Sequence, residues 1–131
     1  MRPKGNVLTG RELEIMHIVW RQGPVTVRDV YEDLLRRRKV AYTTVMTMMG
    51  ILEQKGYVTR KAGEKAHVYS QALSERKVVG STVKDLLNRL FDGSARSLLV
   101  HLIENRQLKP RELEEITGII READTRKGRK S

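Results

Sequence analysis

The chain has 131 residues, a formal net charge of +10 from 26 Lys/Arg against 16 Asp/Glu, and no cysteine. That balance calls for a polyanionic partner, while the lack of cysteine excludes disulfides, zinc fingers, thiolate metal sensing and cysteine catalysis. No apolar run approaches the roughly 18 residues of a membrane span and no signal-peptide core opens the chain, so a cytoplasmic protein without a membrane partner, metal or cofactor is expected.

Thr9-x-x-Glu12 is a capping box that opens a first helix, with Leu13, Met16, His17 and Trp20 at helical spacing and Gly23-Pro24 as its stop. Thr26 starts a second helix, with Val27, Val30 and Leu34 inward. Arg36-Arg37-Arg38-Lys39 closes it, four cations near the negative end of the helix dipole. Phosphate contact and a localisation signal are the rival readings of that run. A third helix runs from Tyr42 to Lys55 and stops at Gly56, a good left-handed cap. Val45, Met48 or Met49, and Leu52 face inward, whereas Thr43, Met46, Thr47, Gly50 and Gln54 share the opposite face. Two strand-like runs follow, Tyr57–Lys61 and His67–Gln71, joined by a Gly-containing loop.

The remainder reads as helices. Ser74 caps a long one, Asp92-Gly93-Ser94 breaks it, Ser94 caps the next, and Pro110 suits the first turn of the last. The expected fold class is mostly α, with an N-terminal winged helix-turn-helix domain carrying a small β-hairpin wing, then C-terminal dimerisation helices. The connection between the second and third helices is expected to be three to four residues. The expected domains are 1–73 for DNA binding, 74–124 for helical dimerisation, and 125–131 as a basic disordered tail. Charge follows this division: 13 Lys/Arg and 7 Asp/Glu give +6, then 9 of each give 0, then 4 Lys/Arg give +4.

In a helix-turn-helix the second helix of the motif enters the major groove, and its N-terminal residues reach base edges. Here those residues are Tyr42, Thr43, Thr44, Met46 and Thr47. Threonine hydroxyls bond base edges or phosphates, and Thr and Met methyls pack on thymine. Thr43 and Thr47 are expected to face DNA. Thr44 either caps the helix or touches a phosphate, and Tyr42 either touches a phosphate or packs. Without Arg or Asn there is no strong bidentate reader, so part of the specificity must come from DNA shape and half-site spacing. Arg60 and Lys61 are either backbone anchors or a solvated strand face. Lys65 at the loop is the better anchor, and His67 sits beside it in the wing. The apolar stripes of the last three helices (Val79, Val83, Leu86, Leu87, Leu90, Leu98, Leu99, Leu102, Ile103, Leu113, Ile116, Ile120) are too little to close a core alone, so pairing with a second copy is expected. His17, His67 and His101 lie on different elements, and no nucleophile–base pair or metal spacing appears, so no enzyme is expected. A protein-docking winged helix and a nonspecific nucleic-acid binder are the rival functions. The polar face beside basic edges speaks against the first, and the uncharged Thr/Met face against the second.

The segments LTGRELEIMHIVW, TVRDVYEDL, AYTTVMTMMGILEQKGYVTRK, AHVYSQALS, FDGSARSLLVHLIEN and ELEEITGIIREA resemble the BlaI/MecI family of penicillinase repressors over about residues 6–123. The resemblance implies a homodimer on a dyad operator, often with TACA and TGTA halves, repressing β-lactamase-type antibiotic-resistance genes or other operons. It also implies C-terminal helices intertwined with those of the partner. In the best-known members a membrane sensor protease system leads to a cut between Asn and Phe. The matching positions here are His101 and Leu102, a departure that does not carry the cut over. The Cys-rich tail of the copper-responsive branch is missing, which excludes copper control of that kind. The basic tail lies outside the family pattern, as an aid to nonspecific DNA affinity or as an unstructured terminus.

Overall fold

A computed structural model describes residues 7–130, with side chains described to residue 127. Helix α1 (Gly10–Gln22) begins at Thr9 with both halves of the capping box made, and ends at Gly23. Helix α2 (Val27–Leu35) has a second capping box, Thr26 with Asp29. Helix α3 (Tyr42–Gln54) is followed by Gly56 at φ 87°, the left-handed step that only glycine takes without cost. Strands β1 (Val58–Ala62) and β2 (His67–Gln71) form an antiparallel hairpin with Arg60 opposite Tyr69. A Cβ on Gly63 in its loop would lie 2.4 Å from the Ala66 carbonyl oxygen, so the turn closes only over glycine. Then come α4 (Glu75–Leu90), α5 (Ala95–Glu104) and α6 (Pro110–Lys130). Among the described residues no helix is long and apolar enough to cross a membrane.

The chain divides into two compact units, one ending at Gly80 and the other starting at Ser81. In the first unit Ile15, Met16, Ile18, Val19, Val25, Val30, Leu34, Val45, Met49, Leu52, Tyr57 and Val58 are buried in one cluster. The expected stripe on α1 is corrected here. Ile15, Ile18 and Val19 join Met16 inside, Leu13 and Trp20 are half-buried, and His17 is exposed. The cause is that α1 packs against both α2 and β2, so its buried face is wider than one stripe. Trp20 closes the edge of this core by donating its indole N–H to the Leu73 carbonyl at 3.0 Å. Val25, just before α2, exchanges both backbone hydrogen bonds with Tyr69 (2.9 and 2.7 Å) and so acts as a third strand residue beside the hairpin.

Three polar clasps fasten the helices. Asp33 is buried and accepts from Arg21 at 2.7 Å and Gln22 at 2.6 Å, tying α2 to the end of α1. Arg37 and Arg38 reach Glu14 of α1, so half of the basic run is spent inside the fold, beyond its placement at the helix end. The connection from α2 to α3 is six residues, 36–41, longer than expected because Arg36 to Arg38 still turn onto the carbonyls of Asp33 and Leu34. Lys55 at the end of α3 donates to Glu12 at 2.7 Å and to the Val7 carbonyl at 3.0 Å.

In the second unit Ser94 caps α5, and the Lys109 amide is bonded by Glu112 across the start of α6. Asp92 (φ 51°) and Gly93 (φ 80°) make the break before α5. The expected disordered tail from 125 is corrected: α6 continues to Lys130, while Ser131 lies outside the described residues. Arg and Lys are good helix formers and favour the negative helix end, and Thr125 Oγ1 donates back to the Arg121 carbonyl at 3.0 Å.

The Glu12 carboxyl sits below its ordinary pKa. Burial opposes ionisation, but the Lys55 hydrogen bond, the Thr9 amide, the Lys55 charge and the Thr9 hydroxyl together outweigh it. A depressed folded-state pKa adds stability that is present above the ordinary glutamate value and lost as pH falls through the folded value. Lys55→Met should cost up to about 3 kcal/mol, because it strands the Glu12 charge. Denaturant titrations of both proteins between neutral and acid pH check this, and the difference between them should shrink as Glu12 protonates.

Candidate nucleic-acid interface

Helix α3 presents two unlike faces. Val45, Met49 and Leu52 are each 0% exposed, and they recur at the i, i+4, i+7 spacing of one stripe. The turn geometry then forces Thr43, Met46, Thr47 and Gly50 outward, and all four are exposed. Nothing charged stands on this face before Glu53. The helix begins at Ala41, which offers no side-chain cap. Thr44 does not cap it; its exposed side chain lies in the first turn, and its amide turns back to the Ala41 carbonyl at 3.1 Å. An α-helix leaves its first amides without intrahelical partners, so this positive end is open to an anion. Tyr42 stands at that end, 39% exposed, its ring edge-on to Tyr31 of α2 with centroids 5.3 Å apart and an interplanar angle of 76°. It both packs and faces outward, which joins the two readings its sequence position left open.

The hairpin sorts its cations by strand alternation. Arg60 shares a face with Val58 and lies opposite Tyr69, both buried, and so turns back toward α3, where it meets Glu53 at 3.6 Å. Its charge as an anchor is thereby partly offset. Lys61 lies on the other face. Lys61, Lys65 and His67 are all exposed, and none of them enters an ion pair among the described residues. Sequence reasoning missed the Glu53–Arg60 pair, although the period-2 register with Val58 was readable. It also missed Tyr31 as the neighbour of Tyr42.

The remaining candidates lie elsewhere. His101 is exposed and Leu102 half-buried, both in the last turn of α5, with Phe91 edge-on to the His101 ring at 5.9 Å. Val79, Val83, Leu86, Leu90, Ile103, Leu113 and Ile120 are exposed, and Leu87, Leu98, Leu99, Leu102 and Ile116 are half-buried. Among the described residues no group of three or more His, Cys, Asp or Glu side chains could hold a metal ion.

Three helices, a β-hairpin wing and an outward polar face on the third helix define a protein of the winged helix-turn-helix class. The profile of the penicillinase repressor family matches residues 8–122, and the chain belongs to that family. It is a DNA-binding transcriptional repressor. Among its relatives, the penicillinase repressor of Staphylococcus aureus is 27% identical over 109 residues, covering 83% of this chain and 86% of that protein. The transcriptional regulator BlaI of Mycobacterium tuberculosis (strain CDC 1551 / Oshkosh) is 38% identical over 95 residues, covering 71% of this chain and 69% of that protein. The solution structure of the DNA-binding domain of the repressor BlaI shares the fold, with a TM-score of 0.51 and 23% identity over 59% of this chain and 93% of that one.

Proposed function

We propose that the protein occupies a dyad operator as a homodimer, each copy laying α3 in a major groove, and that it thereby blocks transcription of resistance genes of the β-lactamase type. The observation that carries this reading is the outward face of α3. It is small, uncharged and exposed, it ends in an uncapped helix N-terminus, and the wing beside it carries the unpaired cations Lys61 and Lys65. In this arrangement Thr43, Met46 and Thr47 meet base edges. Tyr42, Thr44 and the first amides of α3 meet phosphates, and Lys61, Lys65 and His67 anchor the wing to the backbone. Arg60 is the weakest of the proposed contacts, because Glu53 holds it. The target genes are suggested by the relatives, which are named as a penicillinase repressor and as a methicillin resistance regulatory protein in Staphylococcus aureus.

The second unit supports the homodimer. None of its described residues, 81–127, is buried, while Leu90 is 69%, Ile119 64% and Ile120 55% exposed. Apolar area of this kind gains about 25 cal/mol per Å² when covered, and the described residues of the unit leave it uncovered. A second copy presents the same stripes and satisfies a two-fold interface by symmetry. The domains proposed are a DNA-binding part at 1–73, a dimerisation part at 74–124, and a cationic terminus.

Selection from a random duplex pool by the full-length protein should enrich a two-fold symmetric sequence, and recovery of unselected sequence would defeat the proposal. Thr47→Ala should lower the preference for the enriched duplex over a scrambled one. Lys65→Ala should weaken both equally and lessen the salt dependence by about 0.9 log units per log salt, the share of one phosphate. Unchanged discrimination in Thr47→Ala would move that residue to the backbone. Sedimentation at micromolar concentration should give a dimer, and Leu90→Asp with Ile120→Asp should shift it to monomer. A monomeric parent protein would remove the dyad from the proposal.

A further inference from the structure

We infer that Tyr31 is a positioning residue for DNA binding: it holds the Tyr42 phenol over the open N-terminus of α3, so that the hydroxyl meets a phosphate beside the first amides of that helix. The inference rests on the reading of α3 as the groove helix and deepens it by one residue. Tyr42 is the first residue of α3, where the first backbone amides lack an intrahelical acceptor and the Ala41 side chain does not cap them; the Ala41 carbonyl takes the amides of Thr44 and Val45. Its side chain is 39% exposed, so no burial fixes it from the solvent side. A tyrosine there would sample several rotamers and lose that freedom on binding. Only one ring limits it among the described contacts. The Tyr31 ring stands edge-on at 5.3 Å and 76°, the geometry in which the positive edge of one ring meets the negative face of the other. Tyr31 can do this because it is itself half-buried and packed against the core from α2, the helix next to α3 in the motif. The core thus sets Tyr31, Tyr31 sets Tyr42, and Tyr42 arrives at the phosphate already oriented.

The hydroxyl of Tyr31 has no part in this, and its ring has all of it. Tyr31→Phe should therefore bind like the parent protein. Tyr31→Leu, which keeps an apolar group against the core but removes the aromatic edge, should bind about three- to tenfold more weakly. Tyr42→Phe, which removes only the contacting hydroxyl, should bind about tenfold more weakly.

The test is a double-substitution cycle on the full-length protein. The probe is the duplex that the full-length protein enriches from the random pool, and the melting temperature of each variant is recorded alongside to show that it is folded. In the Tyr42→Phe background, Tyr31→Leu should cost less than about twofold, because the contact it served is already gone. A merely structural role for Tyr31 would cost the same in both backgrounds, and that additivity would overturn the inference while leaving α3 as the groove helix. An equal loss for Tyr31→Phe and Tyr31→Leu would also overturn it, since Tyr31 would then act through its own hydroxyl. An unchanged affinity for Tyr42→Phe would strike one step earlier, at the phosphate contact proposed for Tyr42, and the inference would fall with it.

Discussion

The structure of the first unit turns on the burial of one stripe of α3. Val45, Met49 and Leu52 are sealed into the same core as Ile15, Ile18, Val30 and Leu34. Each such side chain is worth roughly 1.5–3 kcal/mol of burial, so together they leave the helix little freedom to roll about its axis. A helix that cannot roll presents one fixed outer face, and that face happens to hold Thr43, Met46 and Thr47. The surface proposed to read DNA is thus specified from the inside. The ends of the helix are held as well, by Lys55 on Glu12 at one and by the packing of Tyr42 on Tyr31 at the other.

Charge plays a different part from the one a net +10 suggests. Several cations of the first unit are engaged within the fold: Arg21 with Asp33, Arg37 and Arg38 with Glu14, Lys55 with Glu12, Arg60 with Glu53. Those pairs brace one helix against another or the wing against α3. Lys61 and Lys65 remain on the hairpin without such partners among the described ion pairs. Attraction to phosphate is long-ranged and indifferent to sequence. Under the proposed function, free cations on the wing and none on the outward face of α3 would separate attraction from reading, since a lysine on that face would raise affinity for every sequence alike.

Much of this was legible in the sequence. Both capping boxes, the stop at Gly56, the breaks at Gly23 and at Asp92-Gly93, and the helix start at Pro110 follow from local backbone chemistry, which acts over three or four residues. The outer face of α3 was legible for the same reason, because its inner stripe has a clear period. What escaped depends on contacts distant in the chain. The width of the buried face of α1 reflects two neighbours at once, so the single stripe of Leu13, Met16 and Trp20 described it poorly. Asp33 reads as a surface acid until Arg21 and Gln22 are known to close over it. Arg60 and Glu53 are seven residues apart on different elements, and only the turn at Gly56 brings them together. The C-terminal cations read as a tail by composition, although the same residues are sound helix formers when a helix already precedes them.

The uncharged reading face and the apolar second unit make a coherent pair of properties. A face of threonines and one methionine makes single hydrogen bonds and methyl contacts with bases, without the bidentate grip of arginine on guanine. One such face discriminates weakly. In the proposed homodimer, joining two copies would make the second half-site an intramolecular event, and the gain would then depend on how well the spacing of the halves matches the joined protein. Discrimination that each face lacks would be recovered from symmetry and spacing. In the proposed homodimer, anything loosening the pairing of the second units would release DNA without touching a single base contact. On that proposal an inducing event would have no need to act on α3 or the wing; the exposed apolar stripes of α4, α5 and α6 would be the more sensitive place for it to act.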